Sequence, residues 1–232
     1  MTLLAMIEYY RNALMKSRLS AVNFAIHPLS FVFIVYMVSG GKLLSTALAG
    51  AMCSFIAGVG LADLPIELVG MKTRSRFYDI FMSLPGSMTK KMLGITLGMS
   101  LPAAPYLVLL AALLVLQNGA SHLPYIVLGT VSLWAWASTL GMYIGVKSKE
   151  PLTVMRLGNI LLVATTVFPP VYYPVTLLPE GIRALAFFLP TVAASHLIAG
   201  GPAMYASVAT ASLLAWLAVC VLILTSIEFV EE

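Results

Sequence analysis

The sequence predicts an all-α integral membrane protein. It reads as six transmembrane helices with an interfacial helix at the N-terminus, an amphipathic helix in the first cytoplasmic loop and a re-entrant outer helical hairpin before the last span. Three observations lead there. Of 232 residues, 60% are hydrophobic and only 9% charged, against roughly 45–50% and roughly 25% in a soluble domain. The mean hydropathy is +0.98. The apolar residues fall into long runs separated by short polar clusters, whereas a transmembrane strand barrel would show short alternating segments. Two cysteines, Cys53 and Cys220, both inside apolar runs, exclude a disulfide-stapled secreted scaffold. Residues 1–232 form one membrane domain.

Residues 1–17 form the first element. Leu3, Ile7, Tyr10 and Leu14 share one helical face, with Glu8, Arg11 and Asn12 opposite. That pattern suits a helix lying in the inner interface, and Glu8 argues against a cleavable signal peptide. A helix needs about 20 apolar residues to cross a hydrocarbon core of roughly 30 Å. The spans predicted on that basis are residues 19–38, 43–62, 92–116, 123–146, 157–173 and 204–227. Between the fifth and sixth, residues 177–199 are apolar but cut by Pro179, Gly181 and Pro190. Each piece of about ten residues reaches about 15 Å, half a bilayer, which predicts a hairpin that dips in and returns.

Orientation follows from the basic residues. With the N-terminus inside, the inner segments hold Arg11, Lys16, Arg18, Lys72, Arg74, Arg76, Lys90, Lys91, Lys147, Lys149 and Arg156, and the outer ones only Lys42 and Arg183. Both termini are therefore expected in the cytoplasm, in a multi-pass protein of the plasma membrane. In the loop over residues 71–91, Phe77, Ile80, Phe81 and Leu84 repeat at helical spacing, and Pro85-Gly86 ends the stripe. Two readings stand side by side: a helix held on anionic lipid, or one that docks a soluble partner by its aromatic stripe.

Polar groups inside the spans come in pairs. Asn23 and His27 are four apart, as are Asp63 and Glu67, so each pair lies on one helix face. Counted from Arg18 and Lys72, Asn23 and Glu67 sit about 7 Å deep and His27 and Asp63 about 13 Å deep, which makes them candidate partners across the first two helices. The alternative is that Asp63 ends the second span and caps a short helix starting near Pro65. No catalytic set converges. The three histidines lack metal spacing, and Ser195 and His196, as neighbours, point apart on a helix. Gly41-Lys42 lacks the remaining glycine and hydroxyl of a phosphate loop. Gly94–Gly98 and Gly141–Gly145 have the spacing of close-packed membrane helices, and Trp134 and Trp136 are expected to pack in the core.

The order of elements resembles the permease subunits of the ABC type 2 exporter family, which includes drug-efflux, nodulation-factor and polysaccharide-export permeases. Arg76-Phe77-Tyr78-Asp79-Ile80-Phe81-Met82-Ser83-Leu84-Pro85 resembles the family's cytoplasmic coupling helix. Phe168-Pro169-Pro170-Val171-Tyr172-Tyr173-Pro174, with Leu178-Pro179 and Phe188-Leu189-Pro190, resembles its signature before the last span. Lys72, Thr73, Arg74 and Ser75 depart from the glutamate-rich start and glycine-threonine pair of many members, and Leu189 stands where asparagine is common. The resemblance implies a transport subunit, not an enzyme. Two identical copies would pair in the membrane with separate ABC ATPase subunits, which bind ATP and Mg; the chain holds no cofactor of its own and no nucleic acid. Arg76 and Asp79 would make polar contacts to the ATPase, Phe77 and Phe81 would be buried anchors, and Tyr172 and Tyr173 would flank the outer mouth. The cargo would be drug-like, lipid-linked or glycan. The alternative is an ion-coupled secondary transporter that uses intramembrane carboxylates.

Overall fold

The structure, a computed structural model, describes residues 18–74 and 88–228 together with Glu8 and Ser83. The predicted interfacial helix (residues 1–17) and the coupling stripe with Arg76, Phe77, Asp79 and Phe81 lie outside the described residues, apart from Glu8 and Ser83. Among the described residues the chain is all-helical, with no strand. In chain order the helices are α1 (Arg18–Ser39), α2 (Leu44–Ala57), a π turn (Gly58–Asp63), α3 (Leu64–Arg74), α4 (Met88–Ser100), α5 (Ala104–Asn118), α6 (Leu123–Lys147), α7 (Pro151–Thr166), α8 (Glu180–Ala186), α9 (Pro190–Ala199) and α10 (Ala206–Glu228).

Three stretches among them are each long and apolar enough to cross a membrane: Leu44–Thr73, Ala120–Lys147 and Ala203–Ser226. Two further pairs would reach across if each counts as one bent element. Lys91–Ser100 and Ala104–Asn118 meet at 62°, and Glu180–Ala186 and Pro190–Ala199 at 100°. Membrane character is thus a property of the fold as well as of the composition.

The sixth predicted span and the fourth agree closely with α10 and α6. Others differ for physical reasons. The second span does not end at residue 62; the helix continues for another 11 residues as α3. Pro65 has no N–H to donate, and its ring would strike the carbonyl one turn back. The chain accommodates it by widening over Gly58–Asp63, where the Leu64 N–H reaches back to the Val59 carbonyl. Asp63 therefore sits within a continuous helix, which overturns the alternative that it caps a new one. The third span is broken at Leu101–Ala103, a 3₁₀ turn containing Pro102. The fifth begins earlier than predicted, at Pro151, because proline is well placed at the first helical position.

The stretch α2–π turn–α3 is the centre of the fold. Its most apolar window is 78% buried, against 17% for the last helix, so α10 is peripheral. α1, α5, α6, α7 and α9 all pack on this central helix. The contacts around the π turn are backbone to backbone. A Cβ on Gly141 of α6 would collide with the Gly60 carbonyl oxygen, and one on Gly158 of α7 would come within 2.7 Å of the Leu61 carbonyl oxygen. Gly145, one turn beyond Gly141, faces Leu68 and Pro65 of α3. The predicted small-residue spacing of Gly141 and Gly145 thus has its partner.

This packing makes a direct prediction. Gly141→Ala should lower stability by about 1–3 kcal/mol, the usual cost of overpacking. Gly70→Ala, where an added Cβ meets nothing within 4 Å, should be neutral or stabilising, by up to about 1 kcal/mol. Thermal unfolding of both variants in detergent measures the difference.

Candidate functional site

The most elaborate local structure is the seat of the α8–α9 hairpin. The chain between α7 and α8 is largely non-helical, and in a bilayer every backbone polar group at depth must find a partner within the protein. Side chains supply them. Ser195 donates to the Val171 carbonyl at 2.6 Å, and Thr191 donates to the Thr165 carbonyl. On the α10 side, Ser212 donates to the Phe187 carbonyl and Trp216 Nε1 to the Phe188 carbonyl, at 2.6 and 2.7 Å.

The C-terminus of α9 is closed just as fully. Gly200 takes the left-handed conformation, with φ 72°, where glycine carries no steric penalty. Its N–H and that of Gly201 return to the Leu197 and His196 carbonyls, a Schellman closure. The last two carbonyls are met from the α5–α6 connection. Asn118 Nδ2 donates to Ala199 at 3.1 Å, and His122 Nε2 lies 3.1 Å from the Ile198 oxygen. His196 Nε2 lies 3.2 Å from the Pro202 oxygen, and its ring meets the edge of Phe187. Ser195 and His196 serve separate backbone groups, as their adjacency predicted.

These contacts fix where the hairpin lies along the bundle. The end of α9 sits beside Asn118 and His122, where α5 ends and α6 begins. Its start sits beside Thr165 near the end of α7, and the neighbouring Phe188 reaches Trp216, about 15 Å down α10. Gly129 of α6 is where a Cβ would meet Ile198 and Ala194 of α9, so these two helices approach closely.

Tyr172 is buried, 4% exposed. Its ring stacks on Phe31 of α1 with centroids 4.9 Å apart, lies against Gly50 of α2, and its hydroxyl donates to Ser54 Oγ at 2.8 Å. It ties three segments together instead of facing open space. Tyr173 is half-buried and donates to the Phe168 carbonyl at 3.2 Å.

At the opposite end of the bundle, Lys72 of α3 donates from Nζ to the Gly145 carbonyl at 2.9 Å and also to the Val146 carbonyl. A cation on the free carbonyls of a helix C-terminus is favourably placed. Lys72 and Lys147, grouped on one side by the charge count, are thus near each other in the fold. Asp63 is half-buried in the π turn, and Glu67, one turn on, is exposed. Asn23 and His27 belong to α1, which packs along α2; their side chains lie outside the described part, and so do the pairings predicted for them. Trp136 is buried and meets Trp216 edge-on, while Trp134 donates to Ser100 Oγ at 2.8 Å.

Among the described residues no group of three or more histidine, cysteine, aspartate or glutamate side chains could hold a metal ion. Several residues of the hairpin seat escaped sequence reasoning: Ser54, Asn118, Thr165 and Thr191. Each is a single polar residue in or beside an apolar run, and none belongs to a motif. Compared with known protein families and with curated proteins, the chain matches none.

The double role of Tyr172 can be separated. Tyr172→Phe keeps the stack on Phe31 and should cost about 0.6 kcal/mol, a typical intramembrane hydrogen bond. Tyr172→Ala should cost about 3–5 kcal/mol, because ring and packing go together. Equilibrium unfolding in mixed micelles distinguishes the two.

Proposed function

We propose that the chain is the membrane-spanning permease subunit of an ATP-driven exporter of the ABC type 2 kind. It would work as a homodimer with separate ATPase subunits and move a drug-like, lipid-linked or glycan substrate outward. The observation that carries this reading is the α8–α9 hairpin. It consists of two short helices bent by 100°, follows the Phe168–Pro174 segment, and immediately precedes the last long apolar helix. Read with the N-terminus inside, it is a re-entrant element of the outer half of the membrane. In this reading α1, α2–α3, α4–α5, α6, α7 and α10 would be six spans, which would leave both termini on one side, the cytoplasmic side of the plasma membrane by the count of basic residues.

The mechanism in this reading is mechanical. ATP closure of the partner subunits would displace the segment bearing Arg76, Phe77, Asp79 and Phe81, which follows directly on α3. Because α3 and α2 form one helix with the π turn between them, a push at the cytoplasmic end would be delivered to the centre of the bundle. Lys72 would carry it to α6 through the Gly145 and Val146 carbonyls. A path would then open between the two protomers, past Tyr173 of each, with the buried Tyr172 holding the hairpin to α1 and α2.

One observation favours the second reading, an ion-coupled secondary transporter. Asp63 is an ionisable side chain in a π turn at depth, and both features are common at functional sites. The two readings part on energy source. In proteoliposomes, the exporter requires ATP and a co-purifying ATPase, and Asp63→Asn leaves transport running. Transport that follows a proton or sodium gradient without ATP, and stops in Asp63→Asn, establishes the alternative.

The docking role has its own test. Changing Phe77 and Phe81 to Ala should abolish ATPase co-purification, because aromatic anchors dominate interfaces. Membrane insertion should be normal, since both lie outside the spans. Undiminished ATPase binding by the double variant would assign the stripe to the lipid surface instead.

A further inference from the structure

Beside the hairpin, α8 and α10 flank an open groove of about 540 Å³. Leu185 and Phe188 form one wall, and Ala211, Ala215 and Trp216 the other; among the described residues lining it none is charged. The hydrogen-bonding side chains of this lining, Ser212 and Trp216, are already spent on the Phe187 and Phe188 carbonyls. A polar occupant would lose its hydration and find no unused side-chain donor, whereas a hydrocarbon chain loses nothing. From Val208 to Val219 the α10 wall runs about 16 Å, which matches half of a roughly 30 Å hydrocarbon core. The groove therefore has the length and polarity of one acyl chain in one leaflet.

A cation directly precedes its α8 wall in the chain. Arg183 precedes the lining residue Ala184 and lies one turn before Phe187. Its Nε and Nη2 donate to the Leu178 and Thr176 carbonyls at 2.8 and 2.9 Å, which anchors the guanidinium. The remaining nitrogen, Nη1, is 3.8 Å from the carboxylate of Glu180, a loose contact to a side chain that is 92% exposed. A guanidinium has five N–H groups, so an arginine held this way keeps some that can donate to a phosphate.

We propose that the α8–α10 groove is a binding site for one bilayer phospholipid, with an acyl chain along Ala211 and Ala215 and the phosphate at Arg183. The site requires only that the chain lies in a bilayer and stands or falls separately from the ATPase reading. A bound chain would complete the packing of the hairpin against α10 and would make hairpin position sensitive to the lipid around it.

The test uses the full-length protein in phosphatidylcholine vesicles containing a phosphatidylcholine with a mid-chain diazirine. After photolysis and digestion, adducts should concentrate on residues 184–188 and 208–219 and saturate at one per chain. Ala211 and Ala215 are both exposed, so enlarging them leaves the interior untouched. The Ala211→Leu, Ala215→Leu double variant should lose about tenfold of groove labelling, with Ala215→Leu alone intermediate. Labelling at the exposed Val108 and Ile160 should be unchanged. Arg183→Gln should cut phospholipid labelling about threefold yet leave labelling by a diazirine diacylglycerol, which has no phosphate, as it was. Adducts spread over all exposed faces, or undiminished in the filled variant, would overturn the site. Oxidative cross-linking of two Ala215→Cys chains, with Cys53 and Cys220 replaced, would give the groove to a second copy and overturn it equally. An Arg183→Gln variant that treats both probes alike would overturn the phosphate contact.

Discussion

The fold depends on how closely three helices approach at the π turn. In a bilayer, helix association gains nothing from expelling water, so close van der Waals contact has to supply the attraction. Here the contact is backbone on backbone. Gly141 lies directly on the Gly60 carbonyl, and Gly158 beside that of Leu61. Any side chain at either glycine would separate α6 or α7 from the central helix. The π turn is part of the same arrangement. It lets Pro65 remain inside a helix and presents its peptide carbonyls to the neighbours that have glycine opposite.

The hairpin uses the complementary device. Its backbone leaves the helical pattern between Val167 and Pro179 and again at the tip, where helical hydrogen bonds are missing. Hydroxyls and one indole replace them: Thr191, Ser195, Ser212 and Trp216, each on a helix wall that faces the unpaired carbonyl. Asn118 and His122 complete the α9 terminus. The result is irregular backbone held in place within the bundle, with Tyr172 binding it to α1 and α2. Glycine contacts hold the centre and side-chain-to-carbonyl hydrogen bonds hold the hairpin, so the two halves of the bundle can respond to different perturbations.

Much of this architecture was legible in the sequence, and what was missed has physical causes. The boundaries of α6 followed from an uninterrupted apolar run, and Gly141–Gly145 announced a close contact, though not with what. The continuation of α2 into α3 was legible in part. The apolar run stops at residue 62, but the depth count from Lys72 already carries the helix through Asp63 and Glu67. The widened turn that keeps Pro65 inside it has no sequence signal. The start of α7 was missed because Thr153 and Arg156 dilute the hydropathy, although Pro151 marks a first helical turn and Thr153 donates to Glu150 at 2.6 Å. The break at Leu101–Ala103 was foreshadowed by Pro102 and Pro105, which the surrounding apolar residues outweighed. The sharp bend between α8 and α9 was visible from Pro190. The hairpin's hydrogen-bond partners were not, since Thr165, Ser54 and Asn118 are distant in sequence and carry no pattern.

The central claim is that residues 177–199 enter the membrane and turn back at the α8–α9 bend. Nitroxide labels placed singly along this stretch, in a background without Cys53 and Cys220, report depth through their relative accessibility to oxygen and to a water-soluble nickel chelate. Depth should rise to a maximum near Phe188 and fall again toward Gly200, with both ends of the stretch shallow. A profile that deepens and then emerges on the opposite surface would make this stretch a complete crossing and contradict the re-entrant hairpin.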